Sequence, residues 1–207
     1  MENLKLDAKL SLQEPAHLYY GGAWVPPLEG KYEDTFNPGT GERIGSVATA
    51  SRADLEELVK TRCWLEEIAL RQSIENGGEE WEEAIVLQYH RLSRVRRPSS
   101  EDEYVVNFEW EARHRAFHLA LLSACESHWL MQYCAQLNDQ AGRYRQLAII
   151  VSYPKRNELS EHEAIMRAVT TRDADEAVRL LLAHYGRTAG IIKNSISELG
   201  GTSDSAP

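Results

Sequence analysis

The chain has 207 residues, 43% of them hydrophobic and 27% charged, enough apolar content for one buried domain of about 100–150 residues with an appendage. Its formal net charge of -9 excludes a broad electrostatic footprint for nucleic acid, which needs clustered Lys and Arg, so no direct DNA binding by this chain is expected. No apolar run approaches a membrane-spanning length and Met1–Leu10 alternates charge with leucine, so a cytoplasmic chain without a membrane anchor is expected.

Residues 1–50 form the first of two regions. From Leu18 to Ala50 glycine and proline punctuate short aromatic and β-branched runs, which predicts strands and turns in a short N-terminal β-hairpin appendage. Pro26-Pro27 and Asn37-Pro38-Gly39 bar this stretch from a helix.

From residue 51 the pattern turns helical. Ser51 and Asp54 have the spacing of a capping box. Helices are predicted near 52–74, 79–97, 105–125, 128–150, 157–171 and 174–196, an all-α antiparallel bundle of about six helices over 51–197. The small polar residues 198–207 are expected to be a disordered tail. Arg91, Arg94, Arg96 and Arg97 read as a solvated helix end. Cys63, Cys125 and Cys134 lack metal-pair or redox spacing and read as reduced, buried thiols.

Helical periodicity turns several histidines inward. In 105–125, Trp110, His114, His118, Leu121, Leu122 and Cys125 share one arc, and an i, i+4 histidine pair can offer two nitrogens to one metal ion. His162 falls with Ile165, Met166 and Val169, and His184 with Ala177, Leu181, Thr188 and Ile191. A single inward histidine is ordinarily a hydrogen-bonded core residue, but four would each need a separate buried partner. His17, His90 and His128 show no such arrangement.

Arginine enters the same faces. Arg62 lies within a stripe of Leu55, Leu58, Leu65 and Ala69, where its head must snorkel to water or meet a carboxylate. In 128–150 the expected apolar arc is Leu130, Tyr133, Leu137, Ala141, Tyr144 and Ala148, with Arg145 at its flank as the second candidate for ligand binding.

These residues carry two resemblances. Tyr20, Gly21, Gly22, Trp24 and Val25, followed by Asn37, Pro38, Thr40, Gly41 and Glu42, resemble the extreme N-terminus of the aldehyde dehydrogenase family. That family's dinucleotide domain, catalytic cysteine and general base have no counterpart in the helical region after residue 50, so dehydrogenase activity is not implied.

Residues 52 to about 196 resemble the FCD domain, the C-terminal effector-binding domain of FadR-type GntR regulators. The matches are Asp54-Leu55-Glu56-Glu57-Leu58, Thr61-Arg62, Leu65-Glu66, Phe117-His118, Glu161-His162, Ala164-Ile165, Arg172-Asp173-Ala174 and His184. The intervals of 44 residues from His118 to His162 and 22 from there to His184 also fit.

The resemblance implies a divalent metal held by three histidines and an acidic residue four positions before the first. Here that position is His114, so the expected set is His114, His118, His162 and His184, which favours zinc or nickel over oxygen-loving ions. It further implies a small organic acid as effector, with Arg62 completing the clamp, and a homodimer. A regulator of this type carries a winged helix-turn-helix before the FCD domain, where the dehydrogenase-like segment stands here. A fused or truncated, metal-containing carboxylate sensor without enzymatic activity is therefore expected. The alternatives are a metal-dependent, hydrolase-like enzyme and a dimerisation partner that inhibits an intact regulator.

Overall fold

The computed structural model describes residues 15–20, 23–37, 39–48, 51–95, 107–151 and 157–201. The chain divides into two compact units, Met1–Asp54 and Leu55–Pro207.

The first unit holds two antiparallel pairs where the sequence predicts one hairpin. β1 (Leu18–Tyr20) pairs with β2 (Ala23–Val25), and β3 (Tyr32–Phe36) with β4 (Arg43–Ala48). The turn between β3 and β4 follows from Asn37, whose side-chain oxygen accepts the amide hydrogens of Gly39 at 2.8 Å and Thr40 at 3.3 Å. Gly41 then takes a φ of 72°, which an L side chain resists.

The second unit is built from six helices: α1 (Arg52–Asn76), α2 (Glu79–Ser93), α3 (Phe108–Leu122), α4 (His128–Val151), α5 (Glu158–Thr170) and α6 (Ala174–Gly201). Several of their starts are set by side chains that accept otherwise unpaired amide hydrogens. Ser51 and Asp54 form the expected reciprocal box, with Ser51 N–H donating to Asp54 at 2.8 Å and Asp54 N–H to Ser51 Oγ at 3.2 Å. Asn107 accepts from Trp110 N–H at 3.0 Å and Asn157 from Ser160 N–H at 3.2 Å.

Ends differ more from expectation. α3 stops at Leu122 rather than 125, where the amides of Ser123 and Cys125 bond three residues back, to Ala120 and Leu122, and Glu126 then turns to a φ of 55°. α6 runs on through Gly201, so residues 198–201 are helical, and 202–207 lie outside the described residues. The expected ends of 79–97 and 105–125 also fall partly outside them, as do Arg96 and Arg97. Arg91 and Arg94 are exposed at the end of α2.

α6 packs on α4 and α5, α3 on α2 and α4, and α2 also on α5. The core contains Leu70, Ile85, Phe117, Leu121, Ile165 and Leu181, each at most 1% exposed. α4 is rotated from its expected orientation. Among its described side chains the buried ones are Cys134, Asn138, Ala141 and Arg145, while Tyr133 is 52% exposed and Ala148 lies outside the described side chains. Small and polar side chains occupy the inward face there, so apolar periodicity points to the wrong stripe. All three cysteines are free, with Cys125 and Cys134 buried and Cys63 half-buried. Burial pushes the Cys134 thiol up to about 12, which keeps it protonated.

Arg172 ties the turn between α5 and α6 to the turn between α1 and α2. Its guanidinium donates to Ile74 O and Gly77 O, each at 2.6 Å, and pairs with Glu82. Gly77 is needed at that crossing, since a Cβ there would lie 2.1 Å from the Trp81 ring. Arg172→Ala removes charge-assisted bonds to two carbonyls and should cost about 2 kcal/mol. The measurement is the urea midpoint, with an unchanged m-value expected.

Candidate metal centre

Three helices bring the four inward histidines together. His114 and His118 sit one turn apart on α3 and so face the same way. α5 and α6 run back to back through the tight turn at Thr171–Asp173. His162 lies ten residues before Arg172 and His184 twelve after it, so the two reach nearly the same height on adjacent helices. All four are buried, and one ring nitrogen from each lies within 4.8 Å of the other three.

The rings pack closely, with centroids 4.4 Å apart for His114 and His118 and 4.6 Å apart for His162 and His184. His114 also stacks on Trp110 at 4.7 Å. Burial pushes the pKa values of His114 and His118 well below the ordinary imidazole value, and neighbouring cationic groups add to the effect. His114 and His118 are thus held as neutral nitrogen donors. His114 Nδ1 is buried without a hydrogen-bond partner, which a purely structural histidine would not tolerate cheaply.

These features fit a borderline divalent ion such as zinc or nickel better than calcium or magnesium, which prefer oxygen. Four nitrogens around a tetrahedral zinc lie about 3.4 Å apart, so ring movements of about 1 Å would suffice to close this set.

Carboxylates stand behind two of the rings. His184 Nδ1 lies 2.9 Å from Glu161 Oε2, and Arg187 Nε donates to the other oxygen at 3.0 Å. On the opposite side, the Tyr185 hydroxyl lies 3.0 Å from His118 Nδ1 and donates to Glu66. Sequence reasoning missed both acids as partners. Glu66 could have been found from its i, i+4 spacing to Arg62, and Glu161 from its place beside His162.

The two candidate arginines are buried, Arg62 at 4% and Arg145 at 7% exposure. Each has a carboxylate already in place. Arg62 Nε donates to Glu66 at 2.5 Å, and its guanidinium lies 3.9 Å from the Tyr185 ring centroid. Burial alone would lower the Arg62 pKa, but Glu66 overrides it and holds the charge. Arg145 pairs with Glu111 and lies 5.8 Å from the Trp110 ring centroid. Snorkelling is therefore not the solution for either one. Arg62 Nη2 and Asn138 Nδ2 remain buried donors without a hydrogen-bond partner.

The four histidines thus form a buried, metal-competent cluster between bundle helices, flanked by ion-paired arginines. Residues 57–187 match the FCD domain family, and the chain belongs to it. It is similar to the uncharacterized HTH-type transcriptional regulator BphR of Paraburkholderia xenovorans (strain LB400), at 37% identity over 147 residues. That match covers 71% of this chain and 60% of that protein. The HTH-type transcriptional repressor GlaR of Escherichia coli (strain K12) is 28% identical over 155 residues, covering 73% of this chain and 70% of the relative. In fold it is similar to a GntR-family transcriptional regulator from Pseudomonas syringae pv. tomato str. DC3000, with a TM-score of 0.61 at 16% identity, over 82% of this chain and 66% of that one. The chain thus carries an FCD domain over residues 57–187. Among the described residues no helix is long and apolar enough to cross a membrane.

The depressed histidines fix the sign of a pH effect. A group whose folded pKa lies below its unfolded value leaves the unfolded chain holding more protons, so its stabilising contribution is complete above about 6.5 and falls as pH drops below that. Chelator-treated protein should lose stability from about pH 6.5 downward, by up to about 1.4 kcal/mol per pH unit for each of His114 and His118. Urea midpoints between pH 7.5 and 5 measure the slope, and a flat profile would show that these rings are not held neutral.

Proposed function

We propose that this domain senses a small organic acid through a divalent metal centre in a GntR-type regulator. His114, His118, His162 and His184 would hold the ion, zinc or nickel by donor chemistry, and Arg62 and Arg145 would receive the effector's carboxylate. The observation that carries this reading is four buried histidines whose ring nitrogens lie within 4.8 Å of one another. When bound, the ion supplies a fixed positive charge and a Lewis-acidic docking point for a carboxylate oxygen.

The unpartnered donors Arg62 Nη2 and Asn138 Nδ2 support a carboxylate as the chemical class. They also refine the clamp. With its Nε occupied by Glu66, Arg62 offers the effector its free Nη2 rather than the whole fork. A hydrolase-like enzyme is the alternative, since an ion with an open position could activate a water as well as dock a carboxylate. Glu161 is occupied by His184 and Arg187 and is a poor general base.

In this reading the domain is cytoplasmic, pairs as a homodimer and does not itself contact DNA, and residues 1–50 are an appendage to it. The two hairpins there are read as a fragment resembling the aldehyde dehydrogenase N-terminus. An intact regulator would then be a second possible partner, inhibited by pairing with this chain.

Purified protein, stripped and reloaded, should take up about one equivalent of zinc by elemental analysis, and His118→Ala combined with His184→Ala should abolish uptake. In the metal-loaded protein, an organic acid at about 100 times its dissociation constant should stabilise the fold by about 2.7 kcal/mol, or about 5–10 °C in Tm. Arg62→Met would strand Glu66 as a buried uncompensated charge, so Arg62→Lys is the cleaner variant. It keeps a cation for Glu66 and removes the donor fork. The acid-induced shift should largely vanish in Arg62→Lys, and an undiminished shift would remove Arg62 from the effector site.

A further inference from the structure

We propose that Glu66 and Tyr185 are positioning residues, which fix the ring tautomers of the histidine cluster through one directional chain of hydrogen bonds. The inference rests on the metal-centre reading for its purpose, but not for its geometry.

The direction of each bond is forced from one end. Glu66 is fully buried and, as the carboxylate partner of Arg62, can only accept. It receives the Arg62 Nε–H and the Tyr185 hydroxyl hydrogen. With that hydrogen committed, the Tyr185 oxygen presents only lone pairs to His118 Nδ1, 3.0 Å away. His118 Nδ1 must therefore carry the hydrogen and donate it.

A neutral imidazole has a single N–H, so His118 Nε2 is left bare. It lies 3.1 Å from His114 Nε2, and two bare nitrogens would repel at that separation. His114 Nε2 thus holds the hydrogen and donates to His118. The remaining nitrogen, His114 Nδ1, is then a lone pair, and it is the atom found buried without a hydrogen-bond partner. The chain of donors ends where the orphaned acceptor sits. Glu161 performs the equivalent task for His184 directly, since a carboxylate 2.9 Å from Nδ1 requires the hydrogen there, and in the neutral ring Nε2 is then bare.

The cluster is consequently not symmetric. His118 and His184 present bare Nε2 atoms before any cation arrives, their orientation set by acids on α1 and α5. His114 has its Nε2 hydrogen turned into the cluster, so it is the ring that must move that hydrogen to Nδ1, or turn over, to act as a ligand. An acidic residue at this position would need no such rearrangement.

The experiment uses the full chain labelled with ¹⁵N at histidine, stripped of metal, and reads tautomers from long-range ¹H–¹⁵N spectra near pH 7.5. His118 should appear as the Nδ1–H form and His114 as the Nε2–H form. Tyr185→Phe keeps the ring over Arg62 and removes the accepting oxygen, so the His118 hydrogen should move toward Nε2 and the His114 tautomer should change with it. Zinc affinity measured by competition with a chelating dye should fall about 10–100-fold, at unchanged stoichiometry. Should that variant fail to fold, the wild-type spectrum still decides. His118 protonated at Nε2, or tautomers indifferent to Tyr185→Phe, would overturn the proposal. Because the tautomers are read without metal, a chain that takes up no zinc would overturn the metal reading and leave this assignment to the spectra.

Discussion

The ion pair between Arg62 and Glu66 is the constraint around which the helical unit is arranged. Two opposite charges withdrawn from water are tolerable only when their geometry is good and their remaining donors and acceptors are met. Glu66 meets that demand through Tyr185, and the Tyr185 ring covers the guanidinium at 3.9 Å. The pair thereby fixes α1 to α6 beside His184. Removing either partner would leave a bare charge in the core at a cost of about 3–5 kcal/mol, so the sequence cannot easily drift at 62, 66 or 185.

How much of this was readable without coordinates depends on the kind of signal. His114, His118, His162 and His184 each stand among apolar residues at helical spacing, and the expectation that they turn inward holds for all four. Their meeting at one point is not a property of any single helix. It needs the α5–α6 turn and the packing of α3, and the family resemblance supplied what periodicity could not. The bundle itself was likewise visible in the cap at Ser51 and in the interruptions between helices.

The misreadings share a cause. On α4 the inward face carries Cys134, Asn138 and Arg145, so counting apolar residues selected a stripe in which Tyr133 is half exposed. Glu66 was visible four residues after Arg62, yet such pairs usually lie on surfaces, where they contribute little. Only its burial makes it structurally decisive. In both cases a polar residue occupies the interior because another polar residue meets it there, and that pairing is long-range information. Near residue 50 composition changes from glycine- and proline-rich to helix-forming, a signal that is local to the sequence.

One consequence concerns charge balance. Arg62 faces Glu66, Arg145 faces Glu111, and Glu161 is matched by Arg187. Around the four imidazoles these fixed charges therefore cancel. A dication placed among them would bring two positive charges into a region of low dielectric constant with nothing left to neutralise them. An anion arriving afterwards would restore electroneutrality, and thermodynamic linkage makes the benefit mutual: whatever factor the metal adds to anion affinity, the anion returns to the metal. A domain built this way would, under the proposed function, respond to the coincidence of two small molecules more steeply than to either alone.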